Sequence, residues 1–248
     1  MVRACIDRVL PLDLREEARR VAVLENPANG RDADAPELAL EVAKKWKPGR
    51  TLRVRFLEGD PVVQQRVAQA AMAWTRHANI HLDFVDSGDA EIRIAFRDDG
   101  SWSAVGTDAL VTRFFRRNEP TMNFGWLDAG SSDLEVASVV LHEFGHALGC
   151  IHEHQSPAGG IVWNKDQVYA DLSGPPNNWD RATIDFNMFQ KYDAGQTQFS
   201  AFDPDSIMLY AFPASWTKTG GSTKENTALS ATDKSFIASA YPPARATI

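Results

Sequence analysis

The chain has few of the residues that build disulfide-stabilised or membrane-spanning proteins. Its 248 residues include only two cysteines, Cys5 and Cys150, which excludes a disulfide framework. No stretch approaches the roughly eighteen uninterrupted apolar residues of a transmembrane helix, so we expect no membrane partner. The first 25 residues are densely charged and hold no apolar signal core. The sequence leaves open a cytosolic protein, export by another route, or a leader already removed.

Positive charge is also scarce. The 26 lysines and arginines are outnumbered by 33 aspartates and glutamates, which gives a net charge of −7. Because phosphate binding needs a basic face, we expect no nucleic-acid partner. One basic cluster, at residues 113–117, mixes arginine with phenylalanine, and we interpret it as a solvated loop or strand end. The length permits a large core, in one domain or in two lobes around a cleft.

Histidine is present where chemistry would need it. Four of the six histidines lie within residues 142–154, and three of them have the spacing H-E-x-x-H-x-x-G-x-x-H, the metzincin pattern of zinc peptidases. His142 and His146 are four apart and share one face of a helix. Gly149 can end that helix in a left-handed turn and bring His152 back as a third ligand. We therefore predict that His142, His146 and His152 bind one Zn²⁺ ion.

The ligand set has one rival, His154. The glycine turn favours His152, so we place His154 beside the site or at the surface. Three imidazoles leave one zinc position open for water, as in catalytic rather than structural sites. Glu143 flanks the metal and is predicted to be the general base of peptide hydrolysis. The simpler alternative is a helix that carries histidines on its polar face.

The two cysteines permit three interpretations. Cys5 could supply a thiolate that occupies the open zinc position in a latent form, since thiolates bind zinc well. Cys5 and Cys150 could form a disulfide. They could also be two unrelated thiols, one of them a small buried side chain. The sequence does not choose among these.

The patterns of hydrophobic and breaker residues predict a mixed α and β protein. Alternation predicts strands, apolar spacing and caps predict helices, and Pro and Gly break the region after His154 into loops. The predicted strands are residues 51–57, 80–85, 90–96, 101–106 and 121–124, and the predicted helices are residues 36–46, 61–77, 131–148 and one after a capping box at 230–233.

Two motifs together resemble the astacin family of metzincin peptidases. The zinc motif continues into Glu153, as in astacins, where this glutamate anchors the mature N-terminus. Residues 206–210 are similar to the family's Met-turn, S-x-M-x-Y. The resemblance implies that Met208 is the hydrophobic floor below the zinc. It also implies that Tyr210 is catalytic, reaching the metal at rest and donating a hydrogen bond to the oxyanion during reaction.

The resemblance covers roughly residues 50–243 and implies an α+β, metzincin-like, two-lobed catalytic domain. A twisted mixed sheet and two long helices would form the upper lobe, residues 49–154, above an irregular C-terminal lobe, residues 155–248. Residues 101–106 resemble the edge strand that pairs with an extended substrate. Residues 1–48 would be an extension or an inhibitory segment; if they stay attached, Glu153 cannot anchor a freed N-terminus.

The function implied is that of a monomeric zinc endopeptidase acting on proteins or peptides, and secretion follows by family analogy. Two alternatives stay open at this point. One is a zinc module that binds peptides without catalysis. The other is a latent zymogen held inactive by its N-terminal segment.

Overall fold

The computed structural model describes residues 3–30, 40–41, 44–157, 159–191, 197–198 and 201–243. The helices are α1 (Arg15–Glu25), α2 (Pro61–Thr75), α3 (Asp133–Ala147), α4 (Lys165–Leu172), α5 (Arg181–Ile184) and α6 (Ala231–Ala240). The strands are β1 (Leu40–Glu41), β2 (Thr51–Phe56), β3 (His81–Phe84), β4 (Ile92–Ala95), β5 (Ser101–Ser103), β6 (Met122–Phe124) and β7 (Thr197–Gln198). The predicted α+β class is confirmed.

A five-stranded mixed sheet has the order β3-β2-β4-β6-β5. β2 pairs in parallel with β3 and β4, and β4 pairs in parallel with β6. Only β5 is antiparallel, with Trp102 opposite Asn123. Strand β5 is therefore an edge of the sheet, as the sequence predicts for residues 101–106, although the strand itself ends at Ser103.

Local signals explain why the long helices begin where they do. The Asp60 side chain accepts the Val62 N–H, and Pro61 occupies the first turn of α2. Ser132 caps α3 by accepting the Glu135 N–H. The apolar stripe predicted for α2 is buried at Val63, Val67, Ala71 and Trp74.

Helix α3 is held by hydrogen bonds from three aromatic side chains to its backbone carbonyls. The Trp74 indole donates to the Leu141 carbonyl at 2.9 Å. At the end of the helix the Trp46 indole donates to Ala147 at 2.7 Å, and the Tyr241 hydroxyl donates to Leu148 at 2.6 Å. These bonds satisfy carbonyls that a helix terminus leaves unpaired, so the last turn of α3 is fixed in place.

A second hydrophobic cluster lies below the sheet-containing core and supports the two-lobed prediction. Its buried members come from the C-terminal half and from the N-terminal segment, among them Ala4, Cys5, Trp163, Val168, Leu172, Met188, Tyr210 and Trp216. The capping box at Ser230 and Asp233 is formed as predicted and begins α6. The lobe boundaries themselves stay predictions.

The N-terminal segment packs onto the rest of the chain. Helix α1 lies against the 3₁₀ turn at Gly106–Leu110. Upstream of it, the Ile6 N–H donates to the Ser101 carbonyl of β5 at 3.1 Å. Residues 3–10 therefore pass along the edge of the sheet toward the zinc motif.

One predicted helix is wrong where it can be compared. Residues 36–46 fall largely outside the described residues, but Leu40–Glu41 forms a strand that pairs antiparallel with β7. The helix prediction followed apolar spacing alone, whereas a long-range strand partner decides the conformation of these two residues.

Across the described part of the chain, the structure contains no helix with the length and apolar character needed to cross a membrane.

Candidate active site

The three histidines of the zinc motif converge on one point. The Nε2 atom of His146 lies 3.1 Å from Nε2 of His142 and 3.2 Å from Nε2 of His152. All three residues are buried, at most 5% exposed. Tetrahedral zinc with nitrogen ligands would separate them by about 3.3 Å, so the cluster fits one zinc ion.

The chain turns as the glycine spacing predicts. Gly149 has a φ of +96°, a conformation that residues with a side chain rarely adopt. The Cys150 N–H then donates to the Gly145 carbonyl at 2.9 Å, which closes the helix end. The turn directs His152 back toward α3, where it begins a 3₁₀ turn at Glu153–Gln155.

Each imidazole is oriented through its other nitrogen. Nδ1 of His142 lies 2.8 Å from the Ile207 carbonyl, and Nδ1 of His146 lies 2.9 Å from the Cys150 carbonyl. Nδ1 of His152 lies 3.0 Å from the Gln155 side-chain oxygen. Because these oxygens only accept hydrogen bonds, each Nδ1 carries the proton and each Nε2 presents a lone pair to a metal.

Gln155 was missed by the sequence analysis. Its Nε2 donates to the Phe186 carbonyl at 2.6 Å, so the amide is held at both ends. Its distance of three residues from His152, within a short helical turn, was the available signal.

The protonation states also suit a metal. Burial, with the neighbouring His146, lowers the pKa of His142 well below its usual value. Burial and the neighbouring His152 lower the pKa of His146 to about 4. Both rings are therefore neutral near pH 7, as metal ligation requires.

Glu143 lies beside the cluster in a buried position. No N–H or O–H donor of the described residues reaches either carboxylate oxygen. One of its oxygens, a His142 ring nitrogen and the Cys5 sulfur lie within 4.8 Å of one another. Burial raises the pKa of Glu143 well above its usual value. A buried carboxylate without such a donor is costly, which indicates a functional rather than structural position.

Residues of the N-terminal segment lie directly at the cluster. The Tyr210 hydroxyl donates to the Cys5 carbonyl at 2.5 Å. The Asp7 carboxylate lies 3.3 Å from Nδ1 of His152 and 3.7 Å from Nε2 of His146. Burial, and next the charge of Glu143, raises the pKa of the Cys5 thiol. Asp7 was not singled out by the sequence analysis because nothing local marks it.

The cysteines do not form a disulfide: Cys5 and Cys150 are both free and buried. The disulfide interpretation is therefore wrong, because Cys5 lies in the cleft while Cys150 packs into the core behind the zinc motif.

The Met-turn lies against the zinc helix. Met208 is buried, and its sulfur occupies the space that a side chain at Gly145 would need. Asp233 holds the turn by accepting the Ser206 hydroxyl at 2.8 Å and the Ile207 N–H at 2.9 Å. The capping residue of α6 thus also positions the carbonyl that orients His142.

The two remaining motif residues face away from the cluster. His154 is buried rather than at the surface, and its Nε2 lies 2.8 Å from the Asn187 carbonyl. Glu153 accepts the Asp203 N–H at 3.0 Å. With the N-terminal segment in the cleft, Glu153 bonds to the backbone of its own lobe.

Three convergent imidazoles, a flanking carboxylate and a methionine turn below them define a metzincin-type zinc peptidase. The family model for Astacin, which describes a family of peptidases, matches residues 39–237. The chain belongs to the astacin family, and it is a zinc metalloendopeptidase with one zinc as its cofactor.

Solved structures agree with this assignment. One structure of myroilysin is 46% identical with a TM-score of 0.79, over 83% of this chain and 98% of the other. A second myroilysin structure is 39% identical with a TM-score of 0.64, over 97% of this chain and 100% of the other. High choriolytic enzyme 1, a hatching enzyme zinc-protease from the medaka fish Oryzias latipes, shares the fold. It is 18% identical, with a TM-score of 0.51 over 84% of this chain and 98% of that one. No curated protein sequence matches the chain significantly.

Replacing Gln155 with Leu should weaken zinc binding without unfolding the protein. The variant removes the acceptor that orients His152, and loss of such a partner lowers metal affinity about 10- to 100-fold. Competition against chelators of graded affinity measures the effect. Gln167→Leu, on the surface of α4, is the matched control. An unchanged zinc affinity in Gln155→Leu would show that the amide does not position His152.

Proposed function

We propose that the chain hydrolyses internal peptide bonds of proteins with Glu143 as the general base. The observation that carries this proposal is the buried Glu143 carboxylate, free of N–H and O–H donors, beside three convergent imidazoles. A peptide-binding module without catalysis would have no use for such a costly group, and family membership also favours hydrolysis.

The three imidazoles of His142, His146 and His152 would hold the zinc ion. When bound, zinc lowers the pKa of water at its open position and stabilises negative charge on a carbonyl oxygen as a Lewis acid. The Nδ1 hydrogen bonds keep the three rings in place, so no reorganisation is needed when substrate arrives.

Glu143 would move the proton. Its raised pKa lets the carboxylate accept a proton from the attacking water and then release it to the leaving amine. Its burial keeps bulk water from competing for that proton.

Tyr210 would stabilise the oxyanion. In the structure its hydroxyl donates to a peptide carbonyl, that of Cys5, in the cleft. The same hydroxyl could donate to the carbonyl oxygen of a substrate, where one good donor contributes about 10²–10³ in rate.

The sheet edge supports an extended peptide as substrate. The Ile6 N–H donates to the Ser101 carbonyl of β5, which is how a peptide adds a strand to an edge. All of the proposed groups come from one chain, so we propose that it acts as a monomer. The absence of a nucleic-acid partner stays a prediction.

Replacing Glu143 with Gln should keep zinc and the fold but lower kcat by about 10²–10⁴, the contribution of a positioned acid–base group. Activated protein and a fluorogenic peptide measure kcat, and metal analysis measures zinc. His146→Ala is the contrasting variant and should lose zinc and activity together. Full turnover by Glu143→Gln would remove Glu143 as the base.

We propose in addition that the intact chain is latent, because its N-terminal segment occupies the cleft. Cys5 and Asp7 are both buried against the zinc-motif residues, 8% and 7% exposed. The Ile6 N–H takes the β5 carbonyl, and the Cys5 carbonyl takes the Tyr210 hydroxyl. The segment thus uses the groups that a substrate would need.

The Cys5 thiol is the proposed fourth ligand. Its sulfur already lies within 4.8 Å of a His142 nitrogen and a Glu143 oxygen. Zinc binds thiolate strongly and displaces its proton, so Cys5 would close the position that water must occupy. This extends the role of residues 1–48 from extension to inhibitory segment.

Replacing Cys5 with Ala should raise peptide cleavage by the intact, zinc-loaded chain at least about tenfold, because a strong ligand is exchanged for water. Initial rates before and after limited proteolysis measure the gain. Cys150→Ala removes the other buried thiol and should leave the intact chain latent. If Cys5→Ala stayed inactive while proteolysis activated it, Cys5 would not be the latch.

A further inference from the structure

A cavity of about 850 Å³ opens directly beside the candidate active site. His142 and Tyr210 lie at its inner end. Val139 of the zinc helix lines one wall, and Leu209 and Ala211, which follow the Met-turn, line another. A side chain next to the cleaved bond of a bound peptide would enter this cavity.

The charges of the cavity are negative. Glu135, from the first turn of α3, and Glu225, from the loop after the Met-turn, both line it. Among the described lining residues the sole basic side chain is Arg3, which belongs to the N-terminal segment. Glu225 forms no ion pair within the described part of the chain.

Arg3 shows what the cavity accepts. Its Nη1 lies 3.0 Å from the Glu135 carboxylate, and its guanidinium carbon lies 5.8 Å from the centre of the Trp126 ring. Arg3 is two residues from Cys5, which lies at the zinc motif. The intact chain therefore places a guanidinium in this cavity at the same time as it fills the cleft.

The remaining walls suit a long cationic side chain. Val139 and Leu209 present apolar surface to the methylene stem of arginine or lysine, while the carboxylates receive its charged end. Trp126 adds a face for a cation. A hydrophobic substrate side chain would leave both carboxylates without a counter-charge.

We propose that this cavity selects substrates with arginine or lysine next to the cleaved bond, with Glu135 and Glu225 as specificity-determining residues and Arg3 as their occupant in the intact chain. This inference rests on the proposed endopeptidase function. Removal of the N-terminal segment exposes the two carboxylates, and a basic substrate side chain takes the place of Arg3.

The test compares two peptides that differ only in charge. The zinc-loaded chain is activated with an immobilised protease that is then removed. Peptides with arginine, or its neutral isostere citrulline, at each position flanking the cleaved bond are assayed for kcat/KM. We expect the arginine peptide to be cleaved about tenfold faster at one flanking position, from a partly exposed ion pair and a cation–π contact.

The double variant Glu135→Gln and Glu225→Gln should bring that ratio to about one while citrulline peptide cleavage is kept. Asp86→Asn, an exposed carboxylate outside the cavity, is the control and should keep the ratio. Both cavity carboxylates are partly or fully exposed, so thermal melting should show intact folds.

Each outcome bears on one proposal. Equal cleavage of the two peptides by the unmodified chain, or an unchanged ratio in the double variant, overturns the basic subsite while the endopeptidase function stands. Absence of cleavage of every peptide and of casein by the activated, zinc-loaded chain contradicts the endopeptidase function, and the subsite proposal fails with it.

Discussion

The structure depends on the convergence of three imidazole nitrogens in a space from which water is excluded. Two rings lie on one helix face, and the third arrives only because Gly149 adopts a φ of +96°. The protein then fixes the rings by hydrogen bonds from Nδ1 to Ile207, Cys150 and Gln155. Aromatic side chains hold the helix end itself, so the positions of the rings are set by the core of the upper lobe.

The same convergence explains the neighbouring buried polar groups. Burying an unpaired carboxylate costs at least about 1–3 kcal/mol. The oxygens of Glu143 and Asp7 have no hydrogen-bond donor among the described residues. These costs are tolerable only if the groups are used by a metal, a substrate or an inhibitory segment. In the intact chain the N-terminal segment supplies such a partner, and it brings Cys5 to the cluster and Arg3 to the adjacent cavity.

Features encoded by neighbours in sequence were predictable. The zinc ligands, the turn at Gly149 and the caps at Asp60 and Ser230 each depend on residues within a few positions of one another. The alternation in β2 is of the same kind. The family resemblance also placed Met208 and Tyr210 near the site, and the structure brings both there.

Features that depend on distant partners were not predictable. Asp7 reaches His152 across 145 positions of sequence, and nothing in its own surroundings marks it. Asp233 was identified as a helix cap, yet its contact with Ser206 and Ile207 follows from how α6 packs beneath the Met-turn. Strand β1 was taken for a helix because its partner β7 lies far along the chain. Packing and strand pairing decide these cases, and neither is visible in a local pattern.

X-ray absorption at the zinc edge of the intact chain tests the central claim most directly, because it identifies the atoms around the metal. We predict three imidazole nitrogens and one sulfur at about 2.3 Å, with oxygen in place of the sulfur in Cys5→Ala. Fewer than three imidazoles, or an unchanged spectrum in Cys5→Ala, would contradict a zinc site built by His142, His146 and His152 and closed by the N-terminal segment.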